Sequence, residues 1–278
     1  MSGENEKIRR MGPYEIEELT PTVYAIDDDE HESMYLVIGE ERALMIDTGS
    51  NAASVADVVR SIYPGPVELV LTHAHFDHMY HCDEFSKVSL HEAEAAAWKK
   101  TLGPVVWLSS AGSGKKPKKY PVETYHKLAE GDVIALGGRD LKVMRAEGHT
   151  PGSILLVDEK EGFLFTGDAF GSGSYAWMWM PGCLNVSAYK AMLQRVIPAL
   201  EPYAGYRMLG GHRRQGLPSF DPNAVPLTLQ VAKDMEVLCE RVLEGKAEVS
   251  LVEKNFGVKT CLYRYGQAGI VLRKNKIR

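Results

Sequence analysis

Cysteine is scarce and unpatterned: the four residues Cys82, Cys183, Cys239 and Cys261 form no C-x-x-C pair. That excludes a disulfide scaffold or a thiolate zinc module and points to reduced thiols. No run approaches the ~18 apolar residues that a membrane span requires. The opening residues M-S-G-E-N-E-K-I-R-R lack the apolar stretch of a secretion signal, so a soluble, cytoplasmic chain is expected. A basic surplus is also missing. Lys+Arg 32 against Asp+Glu 37 leaves −5, which speaks against a nucleic-acid or anionic-membrane partner. No G-x-S-x-G elbow is present, so there is no sign of a serine hydrolase. Fixed-period repeats, low-complexity tracts and composition shifts are absent too. The 278 residues, 45% hydrophobic and 25% charged, therefore read as one domain spanning 1–278 with an ordinary buried core.

The elements that are there alternate in type. Thr22–Ile26, Tyr35–Ile38 and Ala43–Ile46 read as strands of a meander ending at Asp47-Thr48-Gly49. Ser50 or Asn51 then caps a helix with Val55, Val58, Val59 and Ile62 on one face, stopped by Pro64-Gly65-Pro66. Val67–Leu71 is a continuous apolar strand, the pattern of one covered on both faces. A helix near Glu92–Lys100 precedes a stretch, 101–125, with no clean period and a Lys115–Lys119 charge run; it reads as a lid insertion. Strand signals resume at Asp132–Leu136, Leu141–Arg145, Ser153–Val157 and Gly162–Thr166. Ser187 is expected to cap a helix through Val196, closed by Pro198. A longer helix from Pro226 to Leu243 carries Leu227, Val231, Met235, Leu238 and Val242 on one face, with Gly245 as its C-cap. Residues 258–273 return to β-like sequence. This alternation predicts two mixed sheets packed face to face with helices outside.

The chemistry lies in the histidines. Val67–Thr72 leads into His73-Ala74-His75-Phe76-Asp77-His78, an H-x-H-x-D-H at a strand end. Imidazole and carboxylate are the donors that suit zinc and related divalent ions. So many polar tips within one short loop cannot be buried without a shared partner. His149 in Gly148-His149-Thr150-Pro151-Gly152, Asp168 in Thr166-Gly167-Asp168 and His212 in Gly210-Gly211-His212 are flanked by glycines that permit close approach. Each alone is weak. The remaining histidines take bland readings: His81 starts a helix, and His31, His91 and His126 lie at the surface.

Taken in order, these motifs resemble those of the metallo-β-lactamase-fold superfamily across most of the chain. The resemblance implies an α/β fold, a four-layer αββα sandwich with the site at one edge of both sheets. It implies that His73, His75 and His149 hold one metal, that Asp77, His78 and His212 hold a second, and that Asp168 bridges them. Asp47 matches a position that supports a ligand from behind, and equally suits a turn after a strand. Two divalent ions, zinc before iron or manganese, would lower the pKa of a shared water to near 7 and make it the nucleophile. Asp77 would orient that water and carry its proton, so Asp77 and Asp168 are the catalytic candidates. An acid at position 168 is similar to glyoxalase II, the lactonases and the transfer-RNA-processing nucleases, whereas penicillin-cleaving branches usually place Cys or Ser there. The expected activity is cleavage of a small ester, thioester or lactone. The alternatives are a phosphodiesterase or nuclease on the same site, or a non-catalytic metal-binding sensor. Tyr175, Trp177, Met178, Trp179 and Met180 after Asp168 form a candidate apolar wall, together with 101–125, and Arg213 and Arg214 are candidate anion partners. A small-molecule substrate is the expected partner, and a homo-oligomer stays open.

Overall fold

The computed structural model describes residues 8–171, 175–212, 226–274 and 277. The first sheet runs in spatial order through eight strands: Ile8–Met11, Tyr14–Thr20, Val23–Asp27, Ser33–Ile38, Ala43–Ile46, Val67–Val70, Val88–His91 and His126–Leu128. It is antiparallel as far as Ala43–Ile46 and parallel from there on. The change falls where the chain first inserts a helix, Val55–Ile62, because parallel neighbours need a crossover rather than a hairpin. The second sheet repeats the device. Val133–Ala135, Asp140–Arg145, Ile154–Asp158 and Phe163–Gly167 pair antiparallel, and Arg207–Gly210 then lies parallel to Phe163–Gly167 after the helix Val186–Leu200.

Alternation along these strands builds three apolar layers. Val37, Leu44, Ile46 and Val70 of the first sheet meet Leu141, Val143, Leu156 and Phe165 of the second, with Tyr35 set 5.1 Å from the Phe165 ring. On the outer face of the first sheet, Val55, Val58 and Val59 cover Leu69 and Leu71. On the outer face of the second, Leu155, Val157 and Leu164 lie under Tyr189, Leu193 and Val196. Each fully buried side chain of this size contributes roughly 1.5–3 kcal/mol. The result is the helix–sheet–sheet–helix layering expected from the sequence.

A third sheet extends that expectation. Ala176–Trp177, Ala268–Leu272, Val258–Tyr265 and Val249–Asn255 pair in that order. Its inner face, with Tyr263, Ile270 and Leu272, packs against Met235 and Leu238 of the helix Leu229–Leu243. The sequence marks the tail only as β-like, because the pairing of Trp177 with Val271 joins segments far apart in the chain.

Several local expectations change. Asn185, not Ser187, caps the helix Val186–Leu200 by accepting the Ala188 N–H. Pro198 does not close it: the proline falls in the last turn, and the helix runs on to Leu200. The next helix starts at Leu229, and Gly245 ends it as expected. With φ +70°, Gly245 lets its own N–H reach Val242 O (3.2 Å) and the Lys246 N–H reach Arg241 O (2.8 Å). The 101–125 stretch is not irregular throughout. It contains the helix Gly103–Gly112, which continues from Glu92–Ala97 through a π-turn at Trp98–Leu102. No period shows there because Trp107 and Leu108, 56% and 63% exposed, are apolar residues on the solvent side. His91 is buried, not at the surface, and its ring caps Glu92–Ala97 by accepting the Ala93 N–H. No helix among the described residues is long and apolar enough to cross a membrane.

Candidate metal centre

The parallel pairs of both sheets deliver their carboxyl ends to one edge. Asp47 follows Ala43–Ile46, and the His73–His78 loop follows its parallel neighbour Val67–Val70. Asp168 follows Phe163–Gly167, and His212 follows the parallel Arg207–Gly210. His149 comes from the turn between Asp140–Arg145 and Ile154–Asp158. Glycine is required where these ends crowd: a Cβ on Gly211 would sit 2.6 Å from Asp168 Oδ1 and 2.7 Å from the His78 ring.

All seven sequence-predicted ligands converge there. His73, His75 and His149 offer ligand atoms that lie within 4.8 Å of one another, as do His73, His78 and Asp168, and also Asp77, His78 and His212. Asp168 stands between the groups, with Oδ2 at 3.5 Å from His149 Nε2 and 3.3 Å from His212 Nε2, and Oδ1 at 3.6 Å from His78 Nε2. His212 Nε2 also lies 3.3 Å from Asp77 Oδ2. The Nε2 atoms of His73, His75 and His149 are buried and have no hydrogen-bond partner. Such orphaned atoms are costly in a protein interior. A divalent cation fits this donor set, because it would satisfy all three lone pairs at once.

Electrostatics divides the cluster. Burial, reinforced by the neighbouring imidazoles, lowers the pKa of His73 well below its ordinary value and that of His75 to about 3. Burial likewise lowers His149, against the pull of Asp168. These rings are neutral donors. Burial also disfavours charge on His78, but Asp168, Asp77 and Asp47 outweigh it and raise the ring to about 9. His212 is raised against burial by Asp168 and Asp77, and both of those carboxyls are held below their usual range by the imidazoles they face.

A layer of supports holds the rings. Asp47 sits at φ +60°, so it does make the turn after its strand. Its carboxylate also accepts from Thr72 N (2.7 Å), Thr72 Oγ1 (2.7 Å) and His78 Nδ1 (2.8 Å). Two supports escaped the sequence reading. The fully buried Glu94 accepts from Ala74 N (2.8 Å) and Gly152 N (2.6 Å), tying the His73–His78 loop to the His149 turn. The Trp177 carbonyl accepts from His149 Nδ1 at 2.9 Å, which fixes Nε2 as the free lone pair. Neither leaves a local motif: Glu94 reads as an ordinary helical acid, and a carbonyl has no side-chain identity. His81 starts the short turn Cys82–Glu84 as expected, with Nδ1 on Glu84 Oε1 (2.7 Å) and Nε2 on Asn51 O (2.7 Å).

The sequence profile of the metallo-beta-lactamase superfamily matches residues 27–212, from the third strand to the last histidine of the cluster. The chain belongs to the metallo-beta-lactamase superfamily. Within this hydrolase superfamily, it is similar to the acyl-coenzyme A thioesterase MBLAC2 of Gallus gallus, 36% identical over 200 residues, covering 65% of this chain and 72% of that protein. The Homo sapiens protein of the same name is 32% identical over 203 residues, with the same coverage. The hydroxyacylglutathione hydrolase GloC of Haemophilus influenzae is 25% identical over 153 residues, covering 48% of this chain and 64% of that protein. Among solved structures, the metallo-beta-lactamase family protein TTHA1429 of Thermus thermophilus shares the fold with a TM-score of 0.55 at 19% identity, covering 82% of each chain.

The expected substrate wall is partly redistributed. Trp177 stays half-buried beside the cluster, and Tyr175 and Trp179 share its face of the third sheet with Met180 packed beside them. Met178 leaves the wall, because alternation turns it into the helix-packed core. Gly182 closes on Leu102 and Thr101, so the segment after Asp168 does meet the start of the 101–125 stretch. Arg213 and Arg214 lie outside the described residues.

Proposed function

We propose that the chain is a dinuclear metal-dependent hydrolase whose substrate is an acyl thioester. The observation that carries the reading is the set of three orphaned Nε2 atoms facing a charged group of the same ligand types, with Asp168 between them. Thioesters are favoured over esters and lactones by the relatives, which are named as an acyl-coenzyme A thioesterase and a hydroxyacylglutathione hydrolase.

His73, His75 and His149 would hold one ion, Asp77, His78 and His212 the other, and Asp168 both. Zinc suits this nitrogen and carboxylate set, as do iron and manganese. When bound, such ions supply the Lewis acidity that acidifies water and polarises a carbonyl. The chain supplies the rest. The Trp177 carbonyl and the Asp47 carboxylate keep the His149 and His78 rings in one tautomer and one orientation. Asp77 is partly open to solvent, and its carboxylate would hold the attacking water, take its proton and pass it to the departing sulfur. Trp177 and its neighbours limit water beside the reacting centre.

Protein purified without chelator should carry about two metal ions per chain, since seven donors exceed one tetrahedral shell. The same preparation should hydrolyse acyl thioesters with a higher kcat/KM than simple phosphodiesters. A reproducible content of one ion or fewer after supplementation overturns the dinuclear assignment. Efficient phosphodiester cleavage without any acyl turnover overturns the substrate assignment.

A further inference from the structure

Opposite the helix-packed side of the third sheet, strand alternation places Tyr175, Trp177 and Trp179 on one face, with Leu262 and Val271 beside them. Two arginines lie over rings of this face. The Arg264 guanidinium sits 4.6 Å from the Tyr175 ring centre and donates to its hydroxyl, and that of Arg273 sits 5.3 Å from the Trp179 ring centre. Neither has a carboxylate partner among the described residues; Glu253, the acid on this face, lies on the far edge strand. Arg273 Nε and the indole N–H of Trp179, a residue only 3% exposed, are both buried without a hydrogen-bond partner. The hairpin between Val249–Asn255 and Val258–Tyr265 adds a further ring. Phe256 stacks on Trp179 at 6.1 Å and 29°, yet is 75% exposed and held at φ +47°. Asparagine is the ordinary choice for such a turn, and a bulky side chain there is a strained one. Strain of this kind points towards use rather than packing.

We infer that this face binds the leaving half of the substrate, a thiol carrier bearing a purine nucleotide, with its phosphates on Arg264 and Arg273 and its base on Phe256. The inference rests on the thioester reading above. Planar guanidiniums without counter-charge pair with phosphate, and exposed aromatic faces stack on a base. An acyl chain alone would cover the rings but leave both guanidiniums without a counter-charge and the Trp179 N–H without a partner. The face is continuous with the reacting centre, because the Trp177 carbonyl holds His149. Most of it is built from residues beyond 212, outside the part of the chain that matches the superfamily. The hydrolytic edge thus comes from the matched region, and recognition of the carrier from the added sheet.

The test compares one acyl group carried on coenzyme A and on pantetheine, which lacks the nucleotide, using the metal-loaded full chain. The coenzyme A ester should show a KM about tenfold lower. Free coenzyme A should quench tryptophan fluorescence where pantetheine does not. In Arg273→Gln and in Phe256→Asn the gap between the two esters should close. Phe256→Asn should keep or raise thermal stability, which separates recognition from folding. Equal KM for the two esters with no quenching by coenzyme A overturns the inference and leaves the thioester reading in place. Quenching by coenzyme A in a loaded protein that cleaves no thioester supports the binding face and overturns that reading.

Discussion

His75 and His78 lie on one loop, and both are buried, yet their imidazoles end in opposite states. His75 faces His73 and His149 with ring centres at 4.8 and 4.5 Å, and burial drives its proton off. His78 is buried just as deeply but is surrounded by Asp47, Asp77 and Asp168, and their charge more than repays the lost hydration. Residue type therefore does not set the character of each half of the cluster; the distribution of carboxylates does. One half offers neutral lone pairs, the other an ion-paired network, and Asp168 belongs to both.

Removing the shared residue should do most to erase that division. Asp168→Ala is expected to cut turnover by orders of magnitude and to lose the metal proposed at His78 and His212, while the sandwich core keeps the protein folded. Metal analysis beside steady-state rates checks it, and near-normal turnover with full metal content would reject the bridging role. A smaller effect is expected from Asp47→Asn, which tolerates the positive φ but gives up the charge behind His78. Metal affinity or activity should fall about 10–100-fold, the usual loss when a ligand's supporting carboxylate goes. If the loss were confined to the His73 side, the proposed division would be misplaced.

Glu94→Gln probes the other half, where the supports are backbone groups. One acceptor oxygen remains for the Ala74 and Gly152 N–H groups, so stability should drop by about 1–3 kcal/mol. Denaturant melts with and without metal would show whether the His73–His149 geometry weakens along with it. The smallest effect concerns Glu84, which gives the same contrast on a reduced scale. Burial would raise its pKa, but His81, the Ala56 N–H and the Ser54 hydroxyl together lower it from 4.5 to about 2. Because the folded value is depressed, the stabilisation is complete above pH 4.5 and is lost as pH falls towards 2. Glu84 is partly solvated, so Glu84→Gln should cost only about 1 kcal/mol at neutral pH and flatten the acid limb of a stability profile. An unchanged acid limb would show that the carboxylate contributes nothing there.

Much of the sandwich was legible because its signals are local. The Ala43–Ile46 strand, the Val55–Ile62 face and the Gly245 cap each declare themselves within a few residues. Misreadings fell where an apolar pattern served exposure rather than burial, as at Trp107 and Leu108, or where position within a turn mattered, as at Pro198. Within the site, H-x-H-x-D-H was visible because strand-end geometry fixes the donor spacing. Glu94 was not, since its partners Ala74 and Gly152 become neighbours only when two distant loops meet.

By itself, then, the sequence determined which side chains could serve as metal donors and which short segments would become strands and helices, because spacing and periodicity act over a few bonds. The tertiary structure decided which of those donors would be neutral and which ion-paired, since that depends on carboxylates brought in from Asp47 and Asp168 on different sheets. It also decided that the chain's last strands would join Ala176–Trp177 in a third sheet, a pairing whose apolar and hydrogen-bonding gains exist only once the helix Leu229–Leu243 has carried the chain back across the fold.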